Sequence, residues 1–313
     1  MTPRRRGGGR TRRRSGRSGW LIFLVLLAVV GGGLWLQRHQ LATMFKPKPA
    51  PRHVAVEPTA GPEEPSVAPT VAPPTPVATS TASPGASPSA TPSGAPRVAI
   101  IIDDCGYSMD RDKPFLTLPI PVTLSVLPLT PHGREIADAA LAAGKFAIVH
   151  LPMQPESSAA NPGPGAITTE MTDDEVRAQV KDDLDALPAM PGANNHMGSR
   201  ATSDQRVMND VIGVFKERRM FFIDSMTSPL SVGASTARAM DVPNATRAIF
   251  LDNQVTVPYI EGQLKATMAR ALKYGSAIAI GHPNPQTDQA LEEMIPQMQA
   301  AGIVFVPAQS LVQ

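Results

Sequence analysis

The chain has a single cysteine, Cys105, among its 313 residues. An intramolecular disulfide is therefore excluded, and cysteine usage says nothing about the redox compartment. Aromatic residues are scarce as well. Two Trp and three Tyr argue against a base-stacking surface or a broad aromatic carbohydrate platform. Acids are missing from the first nineteen residues, which carry eight arginines. Proline is sparse except in one place: fourteen of the 33 fall between Pro47 and Pro96, one precedes them, and eighteen are spread over the rest. No internal repeat at a fixed period is evident.

These gaps divide the chain. The formal net charge of +2 sums unlike regions: from Val98 onward, 16 Lys and Arg face 24 Asp and Glu, a net of about −8. The basic pI thus describes a tail, and no nucleic-acid partner is expected for the folded part. Residues 1–19, rich in Arg, Gly and Ser, have nothing apolar to bury and read as a disordered basic tail. Residues 20–36, WLIFLVLLAVVGGGLWL, form an uncharged run long enough for a short membrane-spanning helix, with Trp20 and Trp35 at the two headgroup levels. The run lacks the A-x-A pattern of a cleaved signal peptide, so an uncleaved signal anchor is expected. The arginine excess before it places the N-terminus in the cytoplasm. The remainder would lie outside a bacterial inner membrane crossed once, in the periplasm or its equivalent. Residues 37–97, rich in Pro, Ala, Ser and Thr, read as a disordered tether. At ~3 Å per residue, such a tether extends beyond ~100 Å.

The folded part, 98–313, opens with VAIIIDDCG, an apolar run ending in two acids, which reads as a strand buried on both faces. Similar runs recur at 122–128, 146–152, 220–225, 248–253, 276–283 and 302–307, alternating with helical stretches at 133–144, 172–187, 204–219, 259–275 and 287–302. Thr172 and Glu175 have capping-box spacing. The alternation indicates parallel βα units in one α/β domain, either barrel-like or a doubly wound open sheet.

Polar residues collect at the ends of these strands. Asp103 and Asp104 end the first, His150 the third, Asp224 a middle one and His282 a late one. In parallel α/β folds the carboxyl ends of strands share one rim, where ligands bind. Asp and His also suit a divalent metal such as zinc, three protein groups leaving a position open for water. Asp252 reads as a loop cap at a strand end, and Cys105 as a buried, inert thiol.

AIIIDDCGY, PVTLSVLPLTPH, VHLPMQP, GPGAITTEMT, NNHMGSR, FFIDSMT, FLDN and AIAIGHPNPQT follow in that order across the folded region. Together they resemble the divergent polysaccharide deacetylase family, a branch of the NodB-like carbohydrate esterase superfamily. The resemblance implies a distorted (β/α) barrel and metal-dependent hydrolysis of an amide C–N bond, removing an acyl group from an N-acylated envelope polysaccharide or peptidoglycan-like glycan. It makes Asp103 the general base, Asp104 and His150 metal ligands and His282 the general acid, with Asp224 in support. Gln154 stands where ordinary NodB-like enzymes place a second metal histidine, and the Arg-containing third motif is missing. His196 is accordingly the candidate third ligand, with Asn195, Ser199 and Arg200 beside it as candidate substrate contacts. The alternative is an inactive module of the same fold that binds glycan or an envelope protein. The acidic domain favours a neutral or amine-bearing glycan over an anionic one.

Overall fold

The computed structural model describes residues 94–313. The expected tail and anchor, and nearly all of the tether, lie outside the described residues. Among the described residues no helix is long and apolar enough to cross a membrane.

Among the described residues, nine strands form one sheet in which every pairing is parallel. They are β1 (Arg97–Cys105), β2 (Thr123–Val126), β3 (Phe146–Met153), β4 (Gly192–Met197), β5 (Phe221–Asp224), β6 (Asn244–Thr246), β7 (Ile249–Phe250), β8 (Ser276–Gly281) and β9 (Val304–Phe305). Their spatial order is β6-β5-β4-β3-β2-β1-β8-β7, with β9 added to β1. The two ends of this order, β6 and β7, do not pair, so the sheet is a parallel half-barrel rather than a closed barrel. Seven helices cross between strands: α1 (Met109–Thr117), α2 (Gly133–Ala142), α3 (Asp173–Asp185), α4 (Gln205–Arg218), α5 (Gly233–Ala239), α6 (Val257–Tyr274) and α7 (Pro285–Ala300).

All seven anticipated strands are present, and two more were not anticipated. β4 was overlooked because GANNHM carries polar residues at half its positions, and β6 because it is three residues long. α1 contains Pro114, a residue unfavourable in a helix interior, yet it is nine residues long. The capping box is as expected: the Thr172 hydroxyl accepts from the Glu175 backbone N–H, and the Glu175 carboxylate accepts from the Thr172 N–H.

Alternation along β1 shows how the core is divided. Val98, Ile100 and Ile102 join the large cluster shared with the helices, whereas Ala99 and Ile101 join a smaller one with Ile148, Phe221, Ile223, Ile278 and Ile280. The smaller cluster contains no residue from α1 to α7 and marks the concave face. Ala308 and Leu311 of a short C-terminal 3₁₀ turn complete it. Both faces of the central strand are thus buried, which explains its unbroken apolar run. Because side chains alternate, the parity of a residue decides whether it faces the concave side or the helices.

Candidate functional site

Asp103 and Ile101 share parity on β1, as do His150 and Ile148 on β3, and His282, immediately after β8, lies two residues beyond Ile280. Each therefore continues a concave-face row onto the rim. β4 adds Asn194 and His196 in the same sense, because His150 and Pro152 pair with them in register. Asp104 has the opposite parity and would face the helices in a regular strand. A register irregularity between Ile102 and Cys105, together with a left-handed φ of 58° at Asp104, turns its carboxylate back to the rim. Such strain costs of order 1 kcal/mol at a non-glycine residue and persists where the surrounding structure enforces it.

Three donor atoms converge there. Asp104 Oδ1 lies 2.9 Å from His196 Nδ1 and 3.2 Å from His150 Nε2. The two imidazole nitrogens are themselves 3.2 Å apart. Donors held ~2.0–2.1 Å from one tetrahedral ion stand about 3.3 Å from each other, so these separations suit a single small cation. The hydrogen bonding supports the same conclusion. His150 Nδ1 pairs with Asn194 Oδ1 at 2.7 Å, and donating there leaves the lone pair on Nε2. Asp104 Oδ1 is buried and has no donor aligned with it. Burial disfavours the charged form of Asp104, but the two imidazoles against it more than offset this and hold its carboxyl well below the ordinary range. Asp104, His150 and His196 are a possible site for a divalent metal.

Two further groups flank the cluster. Asp103 is buried, accepts from Asn194 Nδ2 at 2.8 Å and has Oδ2 3.6 Å from His150 Nε2. Burial is the largest influence on it and pushes its carboxyl above the ordinary range, against the opposing pull of His150, His282 and Asn194. His282 Nε2 lies 3.9 Å from Asp104 Oδ2. Its Nδ1 is bound to Asp252 Oδ1 at 2.8 Å, and its backbone N–H donates to Asp252 Oδ2 at 2.7 Å. Burial draws the imidazole down, but the hydrogen bond and charge of Asp252, with Asp103 and Asp104 nearby, raise it to about 9. Thr287 holds Asp252 from the other side at 2.9 Å.

The remaining expected site residues are placed elsewhere. Asp224 shares parity with Phe222 of the helix-side cluster, and its carboxylate accepts from the Met226 and Ala234 N–H groups and the Ser231 hydroxyl. It orders the β5–α5 connection and makes no hydrogen bond to Asp104, His150 or His196. Asn195 likewise faces away from His196: its carbonyl accepts from the Ser225 N–H and its amide donates to the Met197 carbonyl. The Ser199 hydroxyl accepts from the Glu156 N–H, and Arg200 forms an exposed ion pair with Glu170 at 3.2 Å. All three substrate candidates are engaged in shaping loops. Gln154 does the same, its side chain receiving the Thr169 N–H and hydroxyl and donating to Glu170.

Two contributors carry no local sequence signal. Asn194 bridges Asp103 and His150, and Asp252 orients His282 rather than capping a loop. Concave-face parity marks Asn194 in the sequence once β4 is recognised as a strand. Cys105 is buried, its Sγ against the Ile102 carbonyl, and burial pushes its thiol well up.

Residues 100–312 match the divergent polysaccharide deacetylase family. An uncharacterized protein of Haemophilus influenzae is 35% identical over 196 residues, covering 63% of this chain and 70% of its own. The uncharacterized protein YibQ of Escherichia coli K12 is 33% identical over 215 residues, covering 69% and 67%. Among solved structures, an uncharacterized protein of Agrobacterium tumefaciens C58 superposes with a TM-score of 0.67 at 22% identity, over 70% of this chain and 89% of that one.

Proposed function

The chain belongs to the divergent polysaccharide deacetylase family, and from that premise we propose that it is a metal-dependent amidohydrolase that removes the acetyl group from an N-acetylated glycan. The observation that carries this reading is the convergence of Asp104 Oδ1, His150 Nε2 and His196 Nδ1 within 3.2 Å of one another. A divalent cation held there, with zinc the best match to the nitrogen-rich donor set, would supply Lewis-acid activation of water and of the amide carbonyl.

The protein's own groups manage the protons. Asp103 is the general base; burial makes its carboxylate a better proton acceptor than a solvated one, and the Asn194 amide fixes its direction. His282 is the general acid. Its Nδ1–H points to Asp252, so Nε2 carries the proton delivered to the departing nitrogen. An acid raised to about 9 is protonated at neutral pH, as the step requires. The β4 histidine occupies the role left vacant by Gln154, which favours a catalyst over an inactive module. Residues 1–97 would hold this domain outside the inner membrane, a reading that rests on sequence alone.

The test is elemental analysis of the purified full-length protein combined with acetate release from N-acetylglucosamine oligomers. One divalent ion per chain, and release lost in His282→Ala, are expected. A protein that binds no stoichiometric metal, or releases no acetate when metal-loaded, is not this enzyme.

A further inference from the structure

The open edge of the half-barrel leaves a gap. β6 pairs with β5, and the chain then crosses so that β7 pairs with β8 at Ala279 and Ile280. The first residues of β8, Ser276 to Ile278, therefore have β1 on one side and no strand on the other among the described residues. A cavity of about 470 Å³ lies there, with Arg238, Arg270, Asn244, Thr246, Ser276 and Gln313 in its walls. It sits at the start of β8, whereas His282 lies just past the end of that strand. The cavity shares no residue with the Asp104, His150 and His196 cluster.

Its lining carries two arginines and no acid. That balance runs against the domain, whose net charge is about −8. Arg177, Arg200, Arg206 and Arg218 each reach a carboxylate, whereas Arg238 and Arg270 form no ion pair among the described residues. Arg238 belongs to the last turn of α5, and Arg270 lies near the end of α6. One basic residue at a helix C-terminus complements the helix dipole. Two from separate helices on a single cavity give that cavity a positive field of its own. The ring of Tyr274 lies 5.1 Å from the Arg270 guanidinium and steadies it without neutralising it. The walls are fixed as well: Gln313 and Asn244 exchange backbone hydrogen bonds at 2.9 and 3.0 Å, and the Asn244 amide donates to the Val242 carbonyl at 3.0 Å. The hydroxyls of Thr246 and Ser276, by contrast, have no partner among the described residues. No His, Cys, Asp or Glu lines the cavity, so it offers neither a metal site nor a general base.

We propose that this cavity binds a phosphate group borne on a small polar skeleton, with Arg238 and Arg270 neutralising the phosphate and the Thr246 and Ser276 hydroxyls donating to it. The guanidinium fork matches phosphate oxygens in pairs, and a dianion matches two arginines where a single carboxylate matches one. The volume exceeds what a bare phosphate fills and falls within the ~300–1,000 Å³ typical of ligand sites. Neither the metal nor the proton-transfer groups enter, so the inference does not rest on the amidohydrolase reading. A soluble phosphate ester and a phospholipid headgroup share this chemistry.

The experiment is calorimetric titration of the full-length protein, stripped of metal so that phosphate has no cation to ligate, with glycerol 3-phosphate and with glycerol. Glycerol 3-phosphate is expected to bind at one site per chain, and glycerol not measurably. Arg238→Ala and Arg270→Ala should each weaken binding at least about tenfold, the loss expected for a charge-assisted pair. Both arginines are exposed, so native denaturant midpoints are expected in both variants. Arg111→Ala removes another exposed arginine, one outside the cavity lining, and should leave the affinity unchanged. A parallel titration with dihexanoyl phosphatidylglycerol, kept below its micelle concentration, distinguishes the two sources: the tighter of the two phosphate compounds identifies which supplies the ligand. Binding of neither phosphate compound, glycerol binding as tight as that of glycerol 3-phosphate, native affinity in both Arg238→Ala and Arg270→Ala, or an equal loss in Arg111→Ala would overturn the inference. Metal content and acetate release play no part in this readout, so failure of the hydrolase reading and failure of this one are told apart.

Discussion

His282 and Asp104 stand 3.9 Å apart, yet they belong to differently built halves of one site. On the His282 side the groups behind the acid are paired: Nδ1 and the backbone N–H reach Asp252, which Thr287 holds in turn. On the Asp104 side, three electron-rich atoms face one another and the carboxylate oxygen has no aligned donor. A hydrogen-bonded acid needs nothing from outside to be charged and aimed. On the proposed function, the converging carboxylate and imidazoles are completed by a cation. On that proposed function one half manages a proton and the other a metal, and variants should separate them.

The largest effect is expected from the cation half. His150→Ala should remove stoichiometric metal and cost more than ~10³-fold in hydrolysis, since Lewis-acid stabilisation is worth several kcal/mol. Elemental analysis alongside acetate release checks both parts. Retention of tightly bound metal by His150→Ala would break the comparison. His282→Ala should cost ~10²–10⁴-fold in kcat with one metal per chain retained, the size expected for losing a general acid. Loss of metal in that variant would mean that the two halves are one.

Asn194→Ala comes next. Asn194 joins the halves of the donor network by fixing His150 Nδ1 and Asp103 together. Groups that orient metal histidines from behind typically contribute ~10–100-fold to metal affinity, and a competitive chelator titration should find a loss in that range. Asp252→Asn tests the acid half alone. His282 is raised to about 9, so it is protonated below that pH and loses its proton above it. Activity should therefore fall on the alkaline side, at or below about 9, because a bound cation pulls the value down. Removing the Asp252 charge should shift that alkaline limb of kcat/KM downward, toward the ordinary ~6.5. Metal affinity should stay unchanged.

Much of this architecture is legible in the sequence. The buried strands announced themselves as unbroken apolar runs, and the rim acids and histidines ended them. The misplacements have one cause. Asp224 is expected at the site from its strand end and Asn195 from its place beside His196, whereas alternation turns both away from the candidate metal cluster. Against Phe222 and Ile223, Asp224 has helix-side parity; against Asn194, Asn195 has the opposite parity to the site. The rule was available for β5 and unavailable for β4, whose polar residues concealed that it is a strand. Asp104 shows the converse limit, since the left-handed turn that brings it to the rim has no signature in DDCG. Asp252 reaches His282 from the end of β7 through a pairing of β7 with β8 that spans about thirty residues of sequence. Such a contact depends on topology, which local patterns do not carry.

Gln154 gives the smallest and sharpest separation. By family resemblance its position belongs to the metal, but its side chain instead closes the 167–170 segment onto the end of β3, receiving the Thr169 N–H and hydroxyl at 2.9 Å each. The cation half should accordingly be indifferent to it. Gln154→Ala removes bonds to a half-buried loop, and a net loss of about 1 kcal/mol in stability is expected, read as a lowered denaturant midpoint. Metal stoichiometry and affinity should remain those of the native protein, because His196 and not Gln154 lies within reach of Asp104 and His150. A Gln154→Ala protein with native stability and weakened metal binding would reverse the assignment and return the third ligand to β3.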